Sequence, residues 1–384
     1  MLGAGCTSPP ATSALGVAQV AVDTMQIGHG IGDPSQWVFG TIDAAAIVRD
    51  DLQLVVVADG QARQLAAFQL TDGRPVWSSG GRGRGPGQYE TLRHVEVFGD
   101  TVLAWDRILD RATLLDAATG RVLGTSSIAG PRGSSFVRFL SSDAALFADR
   151  LTAASAPENL PLGVRVDSVH YYWVSIQSDT TAHLGKFEEG PREYVESAGF
   201  RRFAWGVFSA TAIVFPIASG IGRASTDSRS VLVRTGEGSF ETHYRTLPLD
   251  RFEATRDLLQ AQRRTLQDSV TIVPSRIDIR DANGMSLAGP MEDGFRDAIE
   301  DLPTADSTLA FDVLVASRSA LAVRIPPLLT RPIQAWLWVT ARPSDDRMLN
   351  LGEDERLLSV DGRSALVRVT DPLGVHSLKV LTRR

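Results

Sequence analysis

Cysteine, lysine and asparagine are scarce in this chain of 384 residues, and each scarcity removes a class of explanation. The single thiol, Cys6, excludes an intramolecular disulfide framework. Lys186 and Lys379 are the only lysines, so arginine carries almost all the positive charge. The formal net charge is −6, and no basic run is long enough to neutralise a row of phosphates, which argues against a nucleic-acid partner. No stretch approaches the ~20 apolar residues of a membrane-spanning helix. Asparagine occurs only at positions 159, 283 and 350, none on a strand expected to line a central channel, which counts against a calcium centre built from Glu, Asn and Asp. Local enzyme motifs are missing too. The only Gly-Lys pair, Gly185-Lys186, is followed by Phe187 and lacks a phosphate-cradling glycine upstream, and there is no GxSxG, HExxH or EF-hand pattern.

What the chain does contain is an internal repeat at a spacing of 47 residues. VVVADGQARQLAAFQLTDGRPV (55–76) recurs as VLAWDRILDRATLLDAATGRVL (102–123), so that Asp59 matches Asp106, Gly73 matches Gly120 and Arg74 matches Arg121. Further along, Gly83 matches Gly130 and Tyr89 matches Phe136. A shortened third copy places Asp143 and Asp149 where Asp100 and Asp106 stand. Repeats of this length made of short Val-, Leu- and aromatic-rich segments between Asp-Gly, Thr-Gly and Gly-Pro turns are blades of a β-propeller. The predicted fold is therefore all-β, a six-bladed β-propeller over 16–384, with residues 1–15 a disordered tail. In the second blade LRHVEVF (92–98) is expected innermost, followed outward by 101–105, 112–116 and 121–127. Residues 166–185 are expected to give the outer strands of the third blade, Phe203 to 248 the fourth, 310–325 the fifth and 335–382 the sixth. The strand in 16–28 is expected to close the ring. Heptad-spaced Phe252, Leu259 and Leu266, and Phe295 with Ile299 and Leu302, predict inserted helices near 249–268 and 293–302.

Propeller sites are assembled from single residues on different blades, so candidates come from expected inner strands. Alternation along 92–98 sets Leu92, His94, Glu96 and Phe98 on one face and Arg93, Val95 and Val97 on the other. His94 and Glu96, joined by Arg138 from the next inner strand, are the ligand-binding candidates. The six histidines show no ligand spacing, so neither a metal site nor a cofactor is expected. Asp59, Asp106 and Asp149 fit turn chemistry, in which a short carboxylate accepts backbone N–H bonds. The tryptophans are expected to pack between blades.

Laid out in this way, the chain resembles bacterial six-bladed β-propeller proteins related to NHL repeats. GRGRGPGQY (81–89) is similar to that family's glycine-rich linker between blades, residues 55–75 match its strand–Asp–strand–Asp-Gly unit, and VRVTDPLGVHSLKVL (367–381) is similar to its closing strand pair. LGAGC followed by TSPP resembles the end of a bacterial lipoprotein signal, which makes Cys6 the candidate lipidation site. The resemblance implies a location at the cell envelope, in the periplasm or anchored to the outer membrane, with the membrane touched only through an N-terminal lipid. The function expected is non-catalytic binding of a protein or small-molecule ligand. The alternative is a channel-based hydrolase or lyase, with or without a metal.

Overall fold

The computed structural model describes residues 17–28, 37–48, 52–150, 161–197, 200–205, 210–217, 220–234, 242–249, 256, 259–260, 262–264, 297, 299, 302, 304, 309–326, 334–340 and 342–384. After β1 (Val22–Ile27) comes the first blade, β2 (Ile42–Val48), β3 (Leu54–Asp59), β4 (Gln64–Gln69) and β5 (Pro75–Gly80). The second is β6 (Leu92–Phe98), β7 (Thr101–Asp106), β8 (Arg111–Asp116) and β9 (Val122–Ser127). In the third, β10 (Ser135–Ser141), β11 (Ala144–Arg150), β13 (Ser168–Ser175) and β14 (Thr181–Glu188) pair in order. The intervening β12 (Gly163–Arg165) leaves that blade and joins β15 (Arg192–Ser197) and β16 (Phe200–Trp205) in a separate three-stranded sheet. Blade four is β17 (Ala212–Ile217), β18 (Gly220–Ser225), β19 (Ser230–Arg234) and β20 (Thr242–Thr246), and blade five is β21 (Val313–Ala316), β22 (Leu321–Arg324), β23 (Gln334–Val339) and β24 (Arg347–Leu351). The last blade holds β25 (Glu355–Val360), β26 (Ser364–Thr370) and β27 (His376–Arg383), and β1 returns as its outermost strand.

Every pairing within the blades is antiparallel, and the inner strands touch in the cycle β2, β6, β10, β17, β21, β25 and back to β2. The chain folds as a six-bladed β-propeller. Position within a blade explains each strand's composition. Second strands lie between neighbouring blades and are apolar on both faces, so all six residues of LVVVAD (54–59) are buried. Outer strands meet solvent on one side and alternate, as in VLGTSS (122–127). Trp77 and Trp338 cross from one blade to the next, their indole N–H groups donating to the carbonyls of Ala117 and Asp361, each at 2.9 Å.

The repeated aspartates act on the backbone. Asp106, fully buried, accepts from Glu90 N (2.6 Å) and Thr91 N (3.3 Å) in the segment leading to the inner strand, and from Ile108 N (2.9 Å) and Leu109 N (3.1 Å) in the turn that follows it. Asp59 repeats the arrangement with Gly40, Thr41, Gln61 and Ala62. One carboxylate thereby satisfies four N–H groups that neither sheet nor turn bonds itself. Glycine serves the next turn of the blade: Gly120, between β8 and β9, has φ +68°, and a Cβ there would lie 2.4 Å from the Trp77 ring.

Ring closure follows the expected route. β1 pairs along its whole length with β27, from Val22 opposite Arg383 to Ile27 opposite Leu378. Ahead of it, Val20 N donates to Met348 O and Met348 N to Ala18 O, both at 2.9 Å, which ties the same segment to blade five.

Two boundaries differ from those read in the sequence. Phe203 lies in β16 of the extra sheet, so blade four begins at Ala212. The run from Ala335 is the third strand of blade five, and blade six begins at Glu355. QAWLWV is almost wholly buried because the fourth blade covers one of its faces and the sixth blade the other, and a strand buried on both faces reads like the start of a blade. Most of 249–268 and 293–302 lies outside the described residues, as do Cys6 and residues 1–15; of the described positions, 256, 259, 260, 262–264 and 297 are helical.

Replacing Asp106 by alanine leaves four backbone N–H groups without an acceptor and is expected to lower stability by about 3–5 kcal/mol. Chemical denaturation measures this, and a loss under about 1 kcal/mol would contradict the role given to the carboxylate.

Candidate ligand-binding channel

All six inner strands contribute to a central cavity of about 600 Å³. Ala44, Val95, Val97, Ile213, Val214 and Leu314 make most of its wall apolar. Into this wall the second and third blades place the three residues predicted from the sequence. Glu96 and Arg138 meet as an ion pair, with Arg138 Nε 3.3 Å from Glu96 Oε1. Arg138 also reaches across to blade five, where its Nη2 donates to Ala316 O at 2.8 Å. Burial pushes the Glu96 carboxyl above the usual glutamate range, against the pull of Arg138 and the Phe139 backbone N–H.

His94 belongs to the same strand but not to that pair. Its ring packs edge-on against Phe136 at 5.3 Å, at the end of the channel where the inner strands begin. Burial, then the positive charges of Arg138 and Arg93, lower its pKa to about 4, so the imidazole is neutral near pH 7.

The expected face set is corrected at one position. A bulge between Leu92 and His94 in the pairing with β7 changes the phase of the strand. Leu92 therefore packs with Val95 in the core between blades one and two, whereas Phe98 packs in the core toward blade three, the side from which Phe136 and Arg138 meet His94 and Glu96. Arg93 turns to Asp43, 3.2 Å away.

At the same end the channel widens into a second cavity, of about 960 Å³, between blades one, two, three and six. Its wall includes Trp105, stacked on Phe136 with ring centroids 4.3 Å apart. Sequence reasoning missed this mouth because its residues come from linkers, turns and the first positions of inner strands on different blades. Two signals were available, His94 itself and Phe136, the repeat partner of Tyr89. Among the described residues no group of three or more His, Cys, Asp or Glu side chains is arranged to hold a metal ion.

No protein-family model matches the chain, and no curated protein matches it in sequence. Among solved structures it is similar to a candidate exported protein of Bacteroides fragilis, at 10% identity and a TM-score of 0.51 over 98% of both chains. It also matches the WD40 domain of SCAP from fission yeast (TM-score 0.34, 10% identity, 94% of this chain and 98% of that one). A third match is BamB from Moraxella catarrhalis (TM-score 0.31, 10% identity, 95% of each chain). At such identities the likeness concerns the fold alone.

Because the folded state holds His94 neutral, its contribution to stability is complete above the unfolded value near 6.5 and is lost as pH falls toward 4. The wild type is expected to lose more stability than His94→Gln between those limits, and an NMR titration of His94 to have its midpoint near 4. Parallel stability–pH curves for the two proteins would contradict this.

Proposed function

We propose that this chain is a non-catalytic, NHL-like binding propeller of the bacterial cell envelope, held there by lipid on Cys6, that takes a ligand at its channel. The observation that carries the reading is the Glu96–Arg138 pair. The ionisable groups facing the lumen at this point pair with each other, and Arg138 also donates to the Ala316 carbonyl, so each charge is offset by the other and neither is poised to move a proton. His94, with its pKa near 4, is a weak base packed against Phe136. An apolar cavity with a few fixed polar groups is the usual form of a small-molecule site.

The envelope location draws on the LGAGC context of Cys6 and on the exported character that the name of the Bacteroides fragilis protein gives that protein. Intact-mass measurement of the chain from its native host tests the lipid: an unmodified Cys6 would remove it.

A second reading, a channel-based hydrolase or lyase, is favoured by one observation. His94 and Glu96 sit two residues apart on one strand, both with pKa values displaced by burial, a combination found at catalytic sites. The two readings separate on purified protein. The binding reading expects less than about 0.1 equivalent of transition metal or calcium per chain and no turnover of ester, lactone or uronide substrates, with His94→Ala changing ligand affinity. About one bound metal ion per chain, lost together with such an activity in His94→Ala or Glu96→Ala, would establish the enzyme instead.

A further inference from the structure

The channel mouth reverses the sign of the protein's charge. Five arginines line the 960 Å³ cavity, Arg93, Arg107, Arg132, Arg356 and Arg368, in a chain whose net charge is −6. Only two carboxylates, Asp43 and Asp110, face them, and Asp43 is already engaged by Arg93 at 3.2 Å. Among the described residues, Arg107, Arg132 and Arg356 have no ion pair or side-chain hydrogen bond. Arg368 spends Nη1 on Ile42 O (3.2 Å), and its Nε is buried without a hydrogen-bond partner.

These arginines have separate origins. Arg107 stands in the turn after β7, Arg132 in the linker between the second and third blades, Arg356 at the start of β25 and Arg368 on β26. They converge only through the ring. Burial first, and then the Arg356 guanidinium, lower the pKa of Arg368 despite the opposing charge of Asp43, as expected where positive charge is incompletely neutralised. Phe136, backed by the buried Trp105 stacked on it, forms an apolar wall of the same cavity.

We propose that this cup is the propeller's ligand site and that its ligand is a small polyanion, bearing two or more carboxylate or phosphate groups that arginines of different blades hold together. The proposal rests on the binding reading above. Guanidinium forks match carboxylate and phosphate oxygens in pairs, and several forks around one concavity favour several anionic groups on one molecule. The cavity volume is that of a small-molecule site. A nucleic-acid strand calls for a positive track with a series of stacking platforms, and the mouth offers a half-open cup with one aromatic wall.

Isothermal titration calorimetry at low ionic strength tests the assignment, with citrate and inorganic pyrophosphate as probes and glucose as an uncharged comparison. At least one anion is expected to bind at a single site per chain, weakening as salt is added. Which anion binds distinguishes carboxylate from phosphate chemistry. In an Arg107→Gln, Arg356→Gln double variant its affinity is expected to fall about 10-fold or more. Both positions are exposed, so an unchanged melting temperature serves as the folding control. Binding of neither anion, equal binding by the double variant, or tighter binding of a single-stranded oligonucleotide would overturn the proposal. None of these results would remove the non-catalytic reading, which is decided by turnover and metal content.

Discussion

The pairing of β1 with β27 is the interaction on which the rest of this structure depends. Without it the sixth blade is three-stranded and two sheet edges lie open; with it the first strand of the chain completes the last blade and the six inner strands enclose a lumen. The junction between blades six and one reaches the mouth of the channel. Ile42 N donates to His376 Nδ1 at 2.9 Å and Ile42 O accepts from Arg368, so both polar groups of one inner-strand residue are bonded by the neighbouring blade. Burial and the charge of Arg368 keep the His376 pKa low, consistent with an imidazole that accepts this bond. Residues that shape the mouth are thus also residues that join the ring.

Two kinds of charge serve different ends here. Buried aspartates such as Asp59 and Asp106 are surrounded by backbone N–H donors and set the spacing between a blade's inner hairpin and the chain that enters it. Elsewhere buried charges are matched side chain to side chain, as where Arg150 grips both oxygens of Glu189 and where Arg245 meets Asp346. In the mouth the matching fails, and five arginines share two carboxylates. An imbalance of this sort in an otherwise acidic protein is what binding of anions requires, and it adds nothing to the stability of the fold.

Much of the architecture was legible because the repeat is a repeat of constraints. Asp59 and Asp106 recur since each must accept four N–H bonds, and Gly73 and Gly120 recur since each turn needs positive φ. Beyond residue 150 the same constraints are met by other residues. In blade four Thr226 takes an aspartate's place, its hydroxyl accepting from Thr211 N at 2.9 Å, and in blade three β12 is diverted into another sheet. Blade boundaries became unreadable where that chemistry changed. The candidate site was half legible. Glu96 and Arg138 were identified from their strands and meet in space, whereas the bulge that removes Leu92 from their face leaves no mark in an alternating sequence. The mouth arginines were invisible for a different reason, since only ring geometry brings Arg107, Arg132, Arg356 and Arg368 together.

Native-state amide hydrogen exchange tests most directly whether closure by β1 holds the mouth and the ring as one unit. Val20 N, bonded to Met348 O, reports the clasp, and Ile42 N, bonded to His376, reports the junction behind the mouth. The account expects both amides to exchange only through the same large opening that exposes the inner strands, with a common dependence on denaturant. If Val20 and β27 open at low free energy while Ile42 and the inner strands stay protected, the ring does not depend on its closing strand and the central claim fails.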